Sequence, residues 1–337
     1  VLLTCGDPAG IGPEVVALAW AATAAHGRAR LRLVADPAMI AASVMNRRGM
    51  PTLRITAVSA TDPRPSTTDE LLVIATGEPA ETIVPGNASA AGGRQAAAAV
   101  NTAFALVRDG AAQAIVTGPL HKEALHAAGY DVPGHTELLA RSCGLPDDAA
   151  SMMLWLPATH GPGGLAVVHA TLHQSLRSAV ADLSTERIVA AGGRLAAVLT
   201  ALLASPPRLA VAALNPHGGE GGLFGDEESR LIRPAVERLA AAGLTVNGPL
   251  PADTLFLRAS RGEFDGVVAL YHDQGHIPVK LLGMHRAVNI TLGLPLVRTS
   301  VAHGTAFDIV GQGRADPTSM LSAIDAAVRL VAAGWRG

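Results

Sequence analysis

Residues 265–308, DGVVALYHDQGHIPVKLLGMHRAVNITLGLPLVRTSVAHGTAFD, decide how the rest of the chain is read. Residues 267–270 are a short apolar run of the kind that forms a strand buried on both faces. They pass without a linker into Tyr271, His272, Asp273, Gln274 and Gly275. Such a change from apolar to polar at a strand's end is how open α/β sheets present ligand-contacting side chains. Lys280, Asn289 and Arg298 follow among glycines and prolines rather than along one helical face. The pattern is that of one wall of a site, whose other walls must come from other strand ends.

Working outward, residues 114–117 predict a second buried strand ending in GPLHKEAL, which brings His121 and Lys122 to its end. Residues 165–170 lead into TLH with His173, and residues 208–214 empty into NPHGGEGGLFGDEE with His217. Further strands are predicted at residues 2–4, 31–35, 53–58, 71–75 and 152–156, and helices over 184–204, 227–242 and 317–333. A helix over 92–109 presents Val100, Phe104 and Val107 on one apolar face. Strands alternating with helices at this density mean an α/β architecture with helices on both faces of a sheet. Loops at one edge of such a sheet converge even when far apart in sequence, so a shared cleft is expected.

GDPAGIGPE, residues 6–14, turns the first strand into an alanine-rich helix. Its glycines imitate a dinucleotide fingerprint, but Val15 stands where the last glycine of GxGxxG belongs. Two readings stay open: a turn that brings backbone amides to an anion, and a tight turn with no ligand.

The 337 residues suggest two domains. Charge is balanced, 26 basic against 28 acidic residues, so nothing favours nucleic acid or an anionic membrane as a partner. The longest apolar or small-residue run, 15–25, is too short to span a bilayer, and no signal sequence is recognisable. With Cys5 and Cys143 the only cysteines, a reducing cytoplasm and no disulfide are expected. Only Lys122 and Lys280 among the basic residues are lysines. Where arginine fills nearly every cationic position, a remaining lysine marks a place that needs a compact, titratable ammonium, or survives by chance.

His173, His217 and His272 each follow an apolar strand where it leaves the sheet. Three imidazoles with open positions make a catalytic divalent-metal site. The competing reading, three unrelated histidines, stays open because no local HxxxH or CxxC pair supports the site. The glycines around His217 suit close approach of backbone to a ligand. Asp253, Asp273 and Glu220 are candidates for orienting a ligand or acting as general base, Asp253 having also the reading of a helix N-cap. GHTELLARSCG, residues 134–144, starts a helix with His135 and Thr136 at its mouth, where the dipole favours an anion, although Thr136 before Glu137 also resembles ordinary capping. Lys280, Asn289 and Arg298 suit a phosphate or carboxylate.

GDPAGIGPE, TGPLHKEAL, GHTELLA, LNPHGGEGG, GPLPADTLF, YHDQG, VNITLGLPLVRTS and HGTAFD, taken together and in order, resemble the 4-hydroxythreonine-4-phosphate dehydrogenase (PdxA) family over essentially the whole chain. The resemblance implies a two-domain α/β/α fold like isocitrate and isopropylmalate dehydrogenases. Residues 1–130 with 296–337 would form one domain and 131–295 the other, with the active site in the cleft and at a homodimer interface. It further implies one divalent metal (zinc, magnesium, cobalt or similar) on His173, His217 and His272, with His173 reaching across the dimer. Substrate contacts fall on His135, Thr136, Lys280, Asn289 and Arg298, and the catalytic candidates are Asp253, Lys280 and Asp273. NAD or NADP binds this fold without a GxGxxG. The expected activity is oxidation, with decarboxylation, of a small anionic hydroxy acid such as 4-hydroxythreonine 4-phosphate. His276, Ile277 and Pro278 depart from the leucine and proline that follow YHDQG in the vitamin B6 enzymes. ATLHQSLR and GLFGDEE are similar to paralogues acting on phosphorylated sugar acids or dihydrodiol carboxylates. An acyl or phosphoryl transferase on a related fold, and a ligand-binding protein without catalysis, remain the alternatives from other classes.

Overall fold

The computed structural model describes residues 1–45, 47–78, 81–132, 134–146, 149–158 and 164–337. Its strands are β1 (Leu2–Thr4), β2 (Arg32–Val34), β3 (Arg54–Ala57), β4 (Glu70–Ile74), β5 (Ala114–Thr117), β6 (Ser151–Leu156), β7 (Leu165–His169), β8 (Arg208–Ala212), β9 (Thr245–Leu250), β10 (Gly266–Ala269), β11 (Val288–Leu292) and β12 (Val297–Val301). The chain forms two compact units, Val1–Ala150 with Leu294–Gly337, and Ser151–Gly293.

In the first unit the strands run in the order β3-β4-β2-β1-β5-β12, with parallel pairing throughout. Such strands are buried on both faces, which is why 2–4, 71–74 and 114–117 read as unbroken apolar runs. The helix Ala90–Arg108 begins at Ser89, whose side chain accepts from the Gly92 amide. Val100 enters the core, with Phe104 and Val107 packed against it, on the face that the 3.6-residue period selects. Residues 135–142 belong to this unit and not to the other, because Leu138, Leu139 and Ala140 bury themselves with Leu2, Ile115 and Leu296. The division therefore falls at 150/151 and 293/294 rather than at 130/131 and 295/296.

In the second unit the order is β11-β6-β7-β10-β8-β9. β7, β10, β8 and β9 are mutually parallel, and β6 is antiparallel to both its neighbours. The C-terminal ends of the four parallel strands, and the segments after them that carry His173, His272, His217 and Asp253, therefore lie along one edge of the sheet.

The residues after β10 do not form a loop. A helix, His272–Gly283, starts at once and holds Pro278 within it. Gln274 fastens its first turn: Oε1 accepts from the Leu270 amide at 2.7 Å and Nε2 donates to the Ala213 carbonyl at 2.7 Å. Among the described residues no helix is long and apolar enough to cross a membrane, and Cys5 and Cys143 are free thiols.

Candidate active site

Two groups of side chains sit at the strand ends of the second unit. In the first, His272 is the centre. Its Nδ1 lies 2.7 Å from Asp273 Oδ1. A carboxylate only accepts, so the ring donates from Nδ1 and carries its lone pair on Nε2, the arrangement that orients metal-ligating histidines. The His173 ring stands beside it, centroids 5.7 Å apart. His276, one helical turn on, stacks against His272 at 3.7 Å and 10°, and its Nδ1 is 3.1 Å from Nε2 of His169 at the end of β7. Burial, then the neighbouring imidazoles of His276 and His272, pull His169 down to about 3. Burial, then His272, brings His276 to about 4, so both rings are neutral at physiological pH.

The second group is His217 with Asp253, Nδ1 to Oδ2 3.9 Å, both well exposed at 62% and 59%. Asp253 is in the first turn of the helix Ala252–Ser260 and makes no side-chain cap, so the N-cap reading fails. His217 has φ 55 and ψ 23, and Gly218, Gly219, Glu220 and Gly221 continue with positive φ. Left-handed backbone costs about 1–2 kcal/mol per residue that has a Cβ, which explains the glycines better than close approach of a ligand does. Glu228 fixes where this turn leaves β8: it accepts from the Leu214 and Asn215 amides at 2.8 and 2.7 Å and from Asn215 Nδ2 at 2.9 Å. Burial alone would raise the Glu228 carboxyl; the bonds from Asn215 and Leu214 hold it below its ordinary value.

Imidazole donors with one nitrogen fixed by a carboxylate fit a divalent ion in chemistry. His272 is such a donor, and the His173 imidazole stands beside it. Among the described residues of a single chain, no three His, Cys, Asp or Glu side chains converge to hold such an ion.

Lys280 is exposed on the same helix, in the stripe of His272 and His276, so these three do share one helical face. Asn289 is not at a strand end. It pairs in register with Leu154, which pairs with Val167, and its Oδ1 is buried with no partner among the described residues.

In the first unit, Arg298 on β12 is only 2% exposed and donates to Thr117 Oγ1 at 2.7 Å. Burial lowers it to about 10, Glu137 acting in the opposite sense. His135 opens the helix His135–Ser142 behind the N-cap Gly134; Thr136 therefore is not the cap. Burial and then the Arg298 charge hold His135 well below its usual range, and its buried Nε2 has no partner among the described residues.

Four amides of the residue 6–14 turn are used within the chain. The amides of Asp7, Ala9, Gly10 and Ile11 are bonded to Pro119 O, Asp7 Oδ1, Asp7 O and Thr305 O. A Cβ on Gly12 would stand 1.8 Å from the Cys5 carbonyl oxygen, so backbone packing requires that glycine. A cavity of about 480 Å³ in this unit lies against Leu2, Arg32 and Gln113, away from all these residues. Arg32 there is already bonded to carbonyls at residues 31, 62 and 64.

Sequence reasoning missed His169 and Glu228 and did not find the structural role of Gln274. His169 closes an apolar run and reads as core; Gln274 and Glu228 act on backbone groups distant in sequence and leave no local pattern.

Parallel strands with polar side chains gathered at their C-terminal ends define an α/β protein of the ligand-binding, enzyme-forming kind. At the level of fold the chain is similar to isocitrate dehydrogenase from Methylococcus capsulatus, 13% identical with a TM-score of 0.50 over 98% of this chain and 88% of that one. The family model "Pyridoxal phosphate biosynthetic protein PdxA" matches residues 28–327, and the chain belongs to that family. It is 42% identical to a 4-hydroxythreonine-4-phosphate dehydrogenase of Bradyrhizobium diazoefficiens over 98% of this chain and 96% of the relative. It is 44% identical to a D-threonate 4-phosphate dehydrogenase of Cupriavidus necator, over 96% and 94%. A crystal structure of 4-hydroxythreonine-4-phosphate dehydrogenase from Klebsiella pneumoniae superposes with a TM-score of 0.84 at 40% identity, covering 98% and 97%. Relatives of this kind make the chain an oxidoreductase of the dehydrogenase type.

Proposed function

We propose that the chain oxidises a small phosphorylated hydroxy acid, 4-hydroxythreonine 4-phosphate or D-threonate 4-phosphate, with NAD or NADP as hydride acceptor, a divalent metal, and loss of carbon dioxide. The observation that carries this reading is the Asp273–His272–His173 arrangement, in which the carboxylate engages Nδ1 of His272 and leaves Nε2 as the ligand atom. Chain similarity to dehydrogenases of both substrates supports the reaction type.

The roles divide by chemistry. His135, Thr136 and the guanidinium of Arg298 recognise the anionic end of the substrate, and Lys280 and Asn289 position the remainder. The carbon bearing the hydroxyl gives its hydride to the nicotinamide while the hydroxyl proton leaves to a base, for which Asp253 is the candidate. Asp273, already engaged with His272, orients that ring instead. The ketone formed lies β to the carboxylate, so the bond to the carboxylate breaks with its electrons entering an enolate. When bound, the metal supplies Lewis-acid stabilisation to the oxygen that loses its proton and to that enolate.

His173, His217 and His272 do not converge within one chain, and we take the set to be completed between two copies of the chain. Large apolar side chains exposed in the second unit support a partner surface: Leu176, Leu223, Phe224, Leu257, Ile277 and Leu281, the last 83% exposed.

Incubation with metal, NAD or NADP and each 4-phosphorylated acid should give reduced-nicotinamide absorbance. Silence with both substrates in a metal-loaded protein would reject the proposal. His173→Ala and His217→Ala chains, each inactive, should regain activity on mixing; no recovery despite demonstrated subunit exchange would reject the shared site.

A further inference from the structure

We propose that His276 is a positioning residue whose ring face, packed on that of His272, fixes the plane of the His272 imidazole. The inference rests on the reading of His272 as a metal ligand. Asp273 holds one nitrogen of His272, which sets the direction in which the ring points. A single in-plane bond leaves the ring free to tilt about it. The His276 ring removes that freedom, lying face to face with His272 at 3.7 Å and 10° between planes.

His276 is itself held. Its Nδ1 lies 3.2 Å from the His272 carbonyl and 3.1 Å from His169 Nε2. A carbonyl only accepts, so His276 donates from Nδ1, and His169 Nε2 must accept. One tautomer of each ring satisfies the chain of contacts. The packing is built in: a Cβ on Gly275 would stand 2.5 Å from His169 Nε2 and 2.6 Å from Val167 Cγ1, so only glycine lets β7 bring His169 against this helix. An aliphatic residue at 276 would give His272 contact without a flat face and leave His169 buried beside nothing that donates.

The test is Mn²⁺ binding to the full chain without substrate, read by electron paramagnetic resonance. His276→Ala should weaken binding by about 10- to 100-fold, the range seen when the support of a ligand is removed. His276→Phe keeps a ring over His272 and should stay within about threefold of the wild type, well short of that range. Wild-type affinity in the alanine variant, or a loss of about 10-fold or more in the phenylalanine variant, overturns the proposal. His272→Ala is the control: if it binds Mn²⁺ like the wild type, the reading of His272 as ligand fails instead. The inference is then decided on the metal-free chain by ¹⁵N-histidine spectra, where His276→Ala must change the His272 ring signals and His276→Phe must leave them. Unchanged His272 signals in the alanine variant would overturn it.

Discussion

Replacing His217 by glycine should make the protein more stable and inactive at the same time. His217 sits at φ 55, ψ 23, a left-handed conformation that costs a residue with a Cβ about 1–2 kcal/mol. Glycine escapes that strain but loses about 0.5–1 kcal/mol more conformational entropy on folding. The side chain is 62% exposed, and its only described polar neighbour is Asp253 at 3.9 Å, so little packing is lost. The net expectation is a gain of about 0.5–1 kcal/mol. Ala204, the C-cap of the helix Thr185–Leu203, has nearly the same backbone angles, φ 55 and ψ 27, at a place with no proposed chemistry. Ala204→Gly should therefore give the same gain and keep full turnover. Urea unfolding of both variants, read beside their kcat and metal content, makes the comparison. If His217→Gly is destabilised while Ala204→Gly is stabilised, the imidazole makes a stabilising contribution of its own and the strain reasoning fails. If His217→Gly keeps its metal and its turnover, His217 is not a ligand.

Other substitutions follow from the packing. Gly275→Ala drives a Cβ into His169 and Val167, and overpacking of this kind should destabilise by about 1–3 kcal/mol, measured by urea midpoint. Glu228→Ala leaves the Leu214 and Asn215 amides without their acceptor; we expect a loss of about 2–3 kcal/mol and a marked fall in metal affinity as the His217 turn loosens. His135 is held below its ordinary value of 6.5 in the folded chain. The unfolded chain therefore takes up a proton first, and this contribution to stability is complete above pH 6.5 and declines as the pH falls below it. Urea midpoints between pH 7 and 5 should fall less steeply in His135→Gln than in the wild type; parallel slopes would show that His135 titrates normally.

Most of the architecture was legible because parallel strands buried on both faces leave unbroken apolar runs, as at 114–117, 165–169 and 266–269. Several other elements were not, β9 and the helix His272–Gly283 among them. β9 contains Gly248 and Pro249, which read as a loop, but it is the edge strand of its sheet, where a missing amide donor is tolerated. The helix His272–Gly283 was hidden by Gly275 and Pro278, although only that helix explains why His272, His276 and Lys280 fall on one stripe. The strand-end positions of His173, His217 and His272 were readable; the backbone sense of the glycines was not, because glycine allows a left-handed turn and a close approach equally. The setting of Asn289 in NITLGLP did not reveal that it lies level with Leu154 and Val167 in the sheet.

Gln274 has a mechanical consequence. With one end of its amide on Leu270 and the other on Ala213, it is a spacer of fixed length between the strand end that launches His272 and the one that launches His217. The separation of those two loops is thereby gauged by a single side chain. Shortening it to asparagine would draw the strand ends together or release one of them, altering the span between the loops without touching either imidazole.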